Sequence, residues 1–297
     1  MEIVVDLEGK RIDQYLSEKL EYSRSKIAKM ISDGAVLVNG KLAKNSLNLK
    51  LGDVITIGEY KEEDMNVEPE NIPINIIYED EDLMVINKPN GMVVHPAPGN
   101  MHKTLVNALL YYSKNLSRIN GDFRPGIVHR IDAYTTGLLV VAKNDKAHEI
   151  LSDELSRKEV SRKYIALVWG VINEDTATID APIGRDLNDR KKMNVTSINS
   201  KDAVTHLKVL ERYKDATLVE LSLETGRTHQ IRVHMNYIGH PIVNDPVYGK
   251  RKLIDETGQM LHAFQISFTH PTTKTKMEFK CDLPECFTNI LNKFKNE

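Results

Sequence analysis

The chain has 297 residues, of which 41% are hydrophobic, 28% charged and 6% aromatic, and its formal net charge is −2. This composition predicts a globular protein with a buried core and excludes a disordered or collagen-like chain. No apolar run approaches the roughly 20 residues of a membrane span, and the first residues lack the profile of a secretion signal, so we expect a cytoplasmic protein with no membrane partner. The two cysteines, Cys281 and Cys286, have neither the number nor the spacing of a zinc site or a disulfide framework.

The small net charge hides an uneven distribution along the chain. Residues 22–50 contain six basic residues and one acidic residue, whereas residues 61–82 contain nine acidic residues and one lysine. Residues 83–143 are again basic, with seven lysines and arginines against two aspartates. Clustered positive charge is typical of surfaces that bind nucleic acid, so nucleic acid is a candidate partner despite the near-neutral average.

Residues 1–60 predict a compact unit of two short helices packed on a small hairpin sheet. Apolar residues recur at helical spacing within 12–20 and again within 27–31, and Ser23 is in place to cap the second helix. The Asn39-Gly40 pair that follows is a strong signal for a hairpin turn.

Residues 61–75 are acidic and contain two prolines, which predicts a linker. In residues 76–297, short apolar runs and alternating segments are mixed with helical patterns, and strands and helices do not alternate regularly. Asn144 and Thr228 are predicted helix caps. This part of the chain therefore predicts an α+β domain with a large mixed sheet.

Several common catalytic motifs are absent from the sequence. It contains no GxxxxGK[ST], GxGxxG, HExxH or GxSxG segment, so ATP-driven, dinucleotide-dependent, zinc-protease and α/β-hydrolase functions lose their usual support. The remaining candidates are carboxylate, tyrosine, arginine and histidine chemistry.

The densest cluster of such residues lies just before an apolar strand. A turn at Pro125-Gly126 leads to His129, Arg130 and Asp132, and Thr135 follows. Charged groups at the end of a buried strand are costly unless they are paired, and for this reason they are often functional. The alternative is that Asp132 caps a turn and Arg130 forms a surface ion pair, and the spacing alone does not decide between the two.

Two further segments offer candidates. His229 and His234 are five residues apart, so they diverge on a helix and on a strand alike, and we expect no metal site there. Strand alternation places Tyr164 opposite its neighbours, where it either faces a pocket or packs in the core with a satisfied hydroxyl.

Several long motifs occur in an order that is typical of one family. They are INKPNGMVVHP, TLVNALL, RPGIVHRID followed by TTGLLVVAK, RKYIALVWG, ETGRTHQIRVHM and LHA followed by FTHP. Over practically its whole length the chain resembles the RluA-type pseudouridine synthases, and within them the RluD-like ribosomal large-subunit enzymes. Residues 1–60 resemble the small RNA-binding module first described in a ribosomal small-subunit protein, with its alpha-L motif.

The resemblance implies the isomerisation of uridine to pseudouridine in structured RNA, with no cofactor and no metal. It also implies a catalytic domain in residues 76–297 with a large mixed, mainly antiparallel sheet, preceded by a small α/β RNA-binding module. Asp132 matches the essential catalytic residue, Tyr164 a tyrosine that packs on the base, and Arg232 an arginine that pairs with the aspartate.

The resemblance also assigns the contacts with RNA. Arg130 matches an arginine associated with displacing the target nucleotide, and Ile231 an apolar residue of the base pocket; His129 and Thr135 complete the expected substrate-binding set. The basic residues expected to bind RNA through the N-terminal module are Arg24, Lys26, Lys29, Lys41 and Lys44. The expected partner is ribosomal RNA, in the large subunit or its precursor, and we expect a monomer.

Physical chemistry is consistent with this assignment. Moving uracil from N1 to C5 on the sugar requires one ionised carboxylate and a dry pocket that retains the free base. Hydrolytic glycosidases instead require two carboxylates, and the motifs offer no obvious second acid. An arginine beside Asp132 would keep it ionised and oriented, and the target base must first be flipped out of the RNA.

Four positions depart from the usual family pattern. Ala133 and Tyr134 replace a basic and an acidic residue after Asp132, and Thr136 replaces a serine. Asn244 stands where glycine is usual, and asparagine tolerates a left-handed backbone. We expect activity to be retained.

Three alternative functions remain open. The chain could modify transfer RNA, it could be a non-catalytic RNA-binding or ribosome-assembly protein that kept the fold, or it could be a metal-dependent nuclease or hydrolase. Retention of Asp132, Tyr164 and Arg232 together favours an active synthase over the second alternative, and the divergent histidines argue against the third.

Overall fold

The structure is a computed structural model. It describes residues 1–20, 22, 24–60, 67–97, 99–121, 123–189, 192–249 and 251–296. The chain forms two compact units, Met1–Met65 and Asn66–Glu297. The predicted cap Ser23 lies outside the described residues, as do residues 61–66 of the predicted linker.

The smaller unit consists of two helices and a four-stranded antiparallel sheet. Its elements are β1 (Glu2–Val4), α1 (Ile12–Leu20), α2 (Arg24–Ser32), β2 (Val36–Val38), β3 (Lys41–Leu42) and β4 (Val54–Ile57). The strands lie in the order β1-β4-β2-β3. Asn39 and Gly40 both have positive φ and form the predicted turn between β2 and β3. The apolar stripes of both helices share one core with the sheet, as the helical spacing predicts.

The larger unit combines a long sheet with four helices in its described part. Its elements are β5 (Asn75–Glu79), β6 (Leu83–Lys88), α3 (Leu105–Tyr112), β7 (Thr136–Ala142), α4 (Asp145–Ser156), β8 (Ser161–Trp169), β9 (Thr176–Asp180), β10 (Ile183–Arg185), β11 (Met193–Val195), β12 (Val204–Arg212), β13 (Ala216–Leu223), α5 (Gln230–Tyr237), β14 (Leu261–Thr269), β15 (Lys276–Lys280) and α6 (Glu285–Lys295). The nine-stranded sheet runs β5-β6-β7-β14-β8-β13-β12-β9, with β15 on β14. The β7–β14 pair is parallel and the other described pairs of this sheet are antiparallel, so the predicted α+β class with a mixed, mainly antiparallel sheet is confirmed.

The centre of this sheet is buried on both faces. Alternate residues of β7 point to opposite sides: Leu139 joins the core that contains α3, whereas Leu138 joins the core that contains α4. Because both faces are covered, the strand reads as a continuous apolar run. Gly137 begins this run with φ +108°, and a Cβ there would lie 2.2 Å from the carbonyl oxygen of Ala263 on β14. The close approach of the two strands therefore requires glycine.

The sequence-based boundaries need two adjustments. Val67, within the predicted linker, is buried in the core of the larger unit, and the backbone amide of Glu70 donates to Asn107 on α3. The prediction that Thr228 caps α5 is wrong. His229 adopts a left-handed backbone directly before the helix, and the amide of Arg227 donates to the side chain of Gln230. Asn144 caps α4 as predicted, by accepting a hydrogen bond from the amide of Ala147.

No helix in the described part of the chain is long and apolar enough to cross a membrane.

Candidate active site

A cleft in the larger unit brings together three segments that are distant in the sequence. The loop 130–135 before β7, the first half of β8 and the segment 226–232 at the start of α5 line it. The open space between them, including the solvent at its mouth, measures about 570 Å³. β14 lies between β7 and β8 in the sheet, and its first residue, Leu261, lines the same cleft.

Asp132 faces this cleft and is held by Arg232. One carboxylate oxygen of Asp132 accepts a hydrogen bond of 2.9 Å from Nη1 of Arg232. The Asp132 side chain keeps 18% of its surface exposed, whereas the Arg232 side chain keeps 5%. The two residues are 100 positions apart in the chain, so the fold creates this ion pair.

Asp245 fixes the other side of the same guanidinium. Its two oxygens accept hydrogen bonds of 2.7 and 2.9 Å from Nε and Nη2 of Arg232, in a bidentate arrangement. The backbone amides of Val247 and Tyr248 donate to the same carboxylate. Asp245 therefore holds the guanidinium of Arg232 in place, and the fixed guanidinium in turn restricts the position of the Asp132 carboxylate.

The electrostatic consequence is a strongly charged triad of Asp132, Arg232 and Asp245, of which Arg232 and Asp245 are buried. Burial by itself lowers the pKa of Arg232, but the hydrogen bonds and charges of both aspartates outweigh it and raise that pKa above its ordinary value. Burial by itself raises the pKa of Asp245, but Arg232 and the two amides hold it below its ordinary value. The guanidinium therefore stays charged wherever the protein is folded.

His229 lies on the opposite side of Asp132 and was not assigned a catalytic role from sequence. Its Nε2 is 3.9 Å from the other carboxylate oxygen of Asp132. Its Nδ1 is 2.9 Å from the hydroxyl of Tyr248, which accepts a hydrogen bond from the amide of Met193. Burial lowers the pKa of His229, so the ring is neutral over a wider pH range than an exposed histidine. The left-handed backbone at His229 brings this side chain to the cleft.

His234, in contrast, has no part in the cleft. It is fully buried, with its ring between the hydroxyl of Thr205 and the carbonyl of Ala181. In the described residues, no group of three or more histidine, cysteine or acidic side chains is placed to hold a metal ion.

Tyr164 forms part of the cleft wall. It lies on β8, is 6% exposed and lines the cleft, so the pocket-facing alternative describes it better than core packing alone. Burial raises the pKa of its phenol, which therefore stays protonated. Arg162, two residues earlier and on the same face of β8, also lines the cleft. The sequence reasoning did not single out Arg162.

Of the predicted substrate-binding residues, three line the cleft. Ile231 and Thr135 are buried in its wall, and Thr135 accepts a hydrogen bond from the side chain of Gln259. Arg130 is exposed at the mouth, where its guanidinium is 3.4 Å from the ring of His95. Two of these residues therefore belong to the buried wall of the cleft and one to its exposed rim.

The fourth residue predicted to bind substrate is His129. It does not line the cleft; instead, its Nε2 accepts a hydrogen bond from the amide of Val140 on β7. Burial lowers the pKa of His129 to about 3, so the ring is a neutral acceptor at physiological pH. Side chains alternate between the two sides of an extended segment, so His129 and Arg130 point in different directions. We assign His129 a structural role in holding the loop against the sheet.

Lys88 binds the backbone of the loop that carries Asp132. Its side chain is fully buried, and its ammonium group donates to the carbonyl oxygens of Pro89, Met92 and Ala133 at 2.8 to 2.9 Å. Ala133 follows Asp132, so this contact fixes the loop that carries the carboxylate. Burial lowers the pKa of Lys88 to about 7, and the negative charge of Asp132 acts against that shift.

Asn244 has the left-handed backbone that its place in the sequence suggests, with φ 63°. Its side chain binds the segment around Asp255, donating to the carboxylate of Asp255 and accepting from the amide of Ile254. Asparagine at this position therefore adds loop contacts that a glycine cannot make.

In the smaller unit, the predicted RNA-binding residues differ in how free they are. Arg24 is paired with Asp13 at 2.8 Å, and Lys26 lies 4.4 Å from the centre of the Tyr22 ring. Lys29 is partly exposed, whereas Lys41 and Lys44 are exposed.

The arrangement in the cleft is one carboxylate, aimed by a fixed arginine, beside an aromatic ring and an apolar wall. Such a site can hold a planar, uncharged group against Asp132 and exclude water from it. It lacks, among the described residues that line the cleft, the second carboxylate that glycoside hydrolysis requires.

Comparisons with known proteins agree with this geometry. The family model described as RNA pseudouridylate synthase matches residues 82–237, and that of the S4 domain matches residues 10–55. An uncharacterised RNA pseudouridine synthase of Bacillus subtilis, YlyB, is 51% identical over 97% of this chain and 95% of its own length. Ribosomal large subunit pseudouridine synthase D of Escherichia coli O157:H7 is 42% identical over 95% of this chain and 90% of its own.

A solved structure agrees as well. Human RNA pseudouridylate synthase domain containing 1 superposes with a TM-score of 0.58 and 26% identity, covering 76% of this chain and 96% of that one. The resemblance read from the sequence motifs is therefore confirmed. The chain belongs to the RNA pseudouridine synthase family and is an enzyme of that family with an S4 domain near its N-terminus.

Proposed function

We propose that the enzyme converts specific uridines of large-subunit ribosomal RNA to pseudouridine, with Asp132 as its catalytic carboxylate. The observation that carries this proposal is the placement of Asp132 in the cleft, hydrogen-bonded to an arginine that Asp245 immobilises. The choice of RNA is supported by the relatives that act on the ribosomal large subunit according to their names.

The chemistry matches what these side chains can do. The bond between C1′ and N1 breaks, the base turns, and a bond forms between C1′ and C5; the proton at C5 leaves and N1 gains one, so nothing is consumed. Asp132 either attacks the sugar or removes a sugar proton, and both routes begin from the same ionised carboxylate. Arg232 holds that carboxylate in place through its hydrogen bond, with one oxygen directed by the guanidinium.

The base must leave its stack to reach this carboxylate. We propose that Arg130, exposed at the mouth of the cleft, takes the place of the flipped nucleotide and contacts phosphates. Tyr164 then packs on the extruded base, a contact worth roughly 1 to 3 kcal/mol, and Ile231 closes the apolar side. Thr135 completes the pocket wall.

We further propose a division of labour along the chain. Residues 1–60, which include the S4 match, bind RNA mainly through the exposed lysines of the smaller unit, and residues 76–297 carry out the isomerisation. Phosphate contacts of this kind position the enzyme on structured RNA and leave the choice of base to the cleft.

The test is to map pseudouridines in total RNA from cells with the gene, without it, and with an Asp132→Asn copy. We expect large-subunit sites that disappear without the gene and do not return with the variant. Sites found only in transfer RNA would correct the substrate. Full modification by the variant would contradict the role of Asp132, and no change in any RNA would favour a non-catalytic protein.

A further inference from the structure

Arg162 is a buried cation that no described acidic side chain neutralises. It is 8% exposed on β8 and lines the cleft beside Tyr164. Among the residues that the structure describes, none forms an ion pair with it, and its Nε is buried without a hydrogen-bond partner. Arg232, in the same cleft, has two carboxylates. Arg162 is therefore a charged hydrogen-bond donor that has no acidic partner among the described residues.

An uncompensated buried charge lowers the stability of the folded state. A side chain that is kept despite this cost is a candidate for ligand binding. Gly226 leaves space for the Arg162 guanidinium, because a Cβ at residue 226 would lie 2.6 Å from Nη1 of Arg162. The guanidinium thus rests against the backbone of the turn before α5.

The position of Arg162 indicates which part of a nucleotide it meets. Phosphates of the RNA stay with the backbone at the mouth, where Arg130 is exposed, whereas Arg162 is buried and Asp132 is half-buried. The group that reaches the interior is the base, which packs on Tyr164. A guanidinium carries only donors, so it requires an acceptor on that base.

Resting on the proposed function, we propose that Arg162 reads the extruded base as uracil by donating to its inner carbonyl oxygen, O4 in the incoming uridine. Cytosine carries an amino group at this position, which would place donors against donors and leave the guanidinium without a partner. Arg162 is in this account a specificity-determining, base-binding residue, and Asp132 with Arg232 carries out the reaction at the sugar.

The same contact explains how the detached base is kept. Turning uracil by half a turn about its N3–C6 axis exchanges N1 with C5 and O4 with O2. An oxygen therefore occupies the inner position before and after the turn, so one fixed donor serves both orientations. Negative charge that develops on the leaving base is spread over these oxygens, and a preorganised guanidinium stabilises it.

The experiment compares the full-length wild type with Arg162→Met and Arg162→Lys. Activity is measured on in vitro transcribed large-subunit ribosomal RNA that carries tritium at C5 of uridine, which is released when C5 bonds to the sugar. We expect Arg162→Met to lower kcat/KM about 100-fold, mostly through kcat, and Arg162→Lys to recover part of it. Because Arg162→Met removes an unpaired buried charge, its unfolding temperature should equal or exceed that of the wild type.

A second arm separates the base from the phosphates. Binding is measured to a short RNA around the uridine that the wild type modifies, with the base present and with the base removed. Loss of affinity in Arg162→Met that disappears on the abasic RNA supports base contact; a loss that persists there assigns Arg162 to a phosphate and overturns the proposal. Gly226→Ala should weaken the wild type in the same way and have no further effect in Arg162→Met.

The outcomes distinguish this inference from the proposed function. If the wild type is active and Arg162→Met is equally active, the proposed role of Arg162 is wrong and the proposed function stands. A variant that unfolds at lower temperature, with activity reduced only in proportion, assigns Arg162 a structural role and also overturns it. A wild type that releases no tritium from any RNA overturns the proposed function and the inference with it.

Discussion

The two arginines of the cleft are held in opposite ways. Arg232 makes three hydrogen bonds to two carboxylates, one of them the bidentate partner Asp245, whereas Arg162 has no acidic partner in the described part of the chain. Both are more than nine-tenths buried. The charge of Arg232 is therefore neutralised within the protein before substrate binds, whereas in our proposal Arg162 gains its partner from the substrate. Stability and catalysis should therefore respond to mutation differently around the two arginines.

The largest effect on stability is expected from Asp245→Asn, which removes the bidentate partner of Arg232. This change leaves Arg232 buried with one carboxylate fewer, and breaking a buried pair costs about 3 to 5 kcal/mol of unfolding free energy. The measurement is urea unfolding at neutral pH. The control is Asp215→Asn, whose exposed pair with Arg251 spans 3.7 Å and should be worth less than about 1 kcal/mol. Equal losses in the two variants would show that Asp245 is not the anchor described here.

A smaller, pH-dependent effect on stability is expected at Lys88, which contacts the loop that carries Asp132. Its pKa in the folded protein is about 7, below its ordinary value of 10.5, so between these values the unfolded chain binds a proton that the folded chain does not. Stability of the wild type should therefore rise with pH over this range relative to Lys88→Met, by about 2 kcal/mol from pH 7.5 to 9.5. The measurement is the difference in unfolding free energy between the two proteins at each pH. A difference that does not change with pH, or that falls, would contradict the lowered pKa.

The smallest effect is expected in the smaller unit. Replacing Lys29, Lys41 and Lys44 by glutamine in the full-length protein should weaken RNA binding and flatten its salt dependence, by roughly 0.7 to 0.9 in the logarithmic slope for each phosphate that is no longer neutralised. Turnover of bound RNA should change little. The matched control replaces Lys274, Lys276 and Lys280 of the larger unit, which alters net charge equally. If both triple variants show the same drop in affinity, the smaller unit has no special part in binding.

The sequence predicted the elements that local chemistry determines. The helical stripes, the Asn39-Gly40 turn and the buried run of β7 follow from spacing and residue type alone. The cap of α5 did not, because the left-handed backbone at His229 and the hydrogen bonds of Gln230 depend on contacts beyond the helix. Thr228 has the right chemistry for a cap and the wrong backbone position.

The candidate site divides in the same way. Motifs indicated Asp132, Tyr164 and Arg232, and the structure brings all three to one cleft. Motifs could not indicate that Asp245 anchors Arg232 or that Lys88 meets the carbonyl of Ala133, because both contacts exist only after folding. Arg162 could have been found from the alternation of β8, which places it on the face of Tyr164.

The most direct test of the central claim is a single-turnover assay of Asp132→Asn on large-subunit ribosomal RNA. Asparagine keeps the shape of the side chain but removes the charge, so the protein should fold and bind RNA while pseudouridine formation falls by about 10⁴-fold or more. Unfolding and RNA binding are measured on the same sample to confirm that only the chemistry has changed. A variant that forms pseudouridine at the rate of the wild type would show that Asp132 does not carry the reaction.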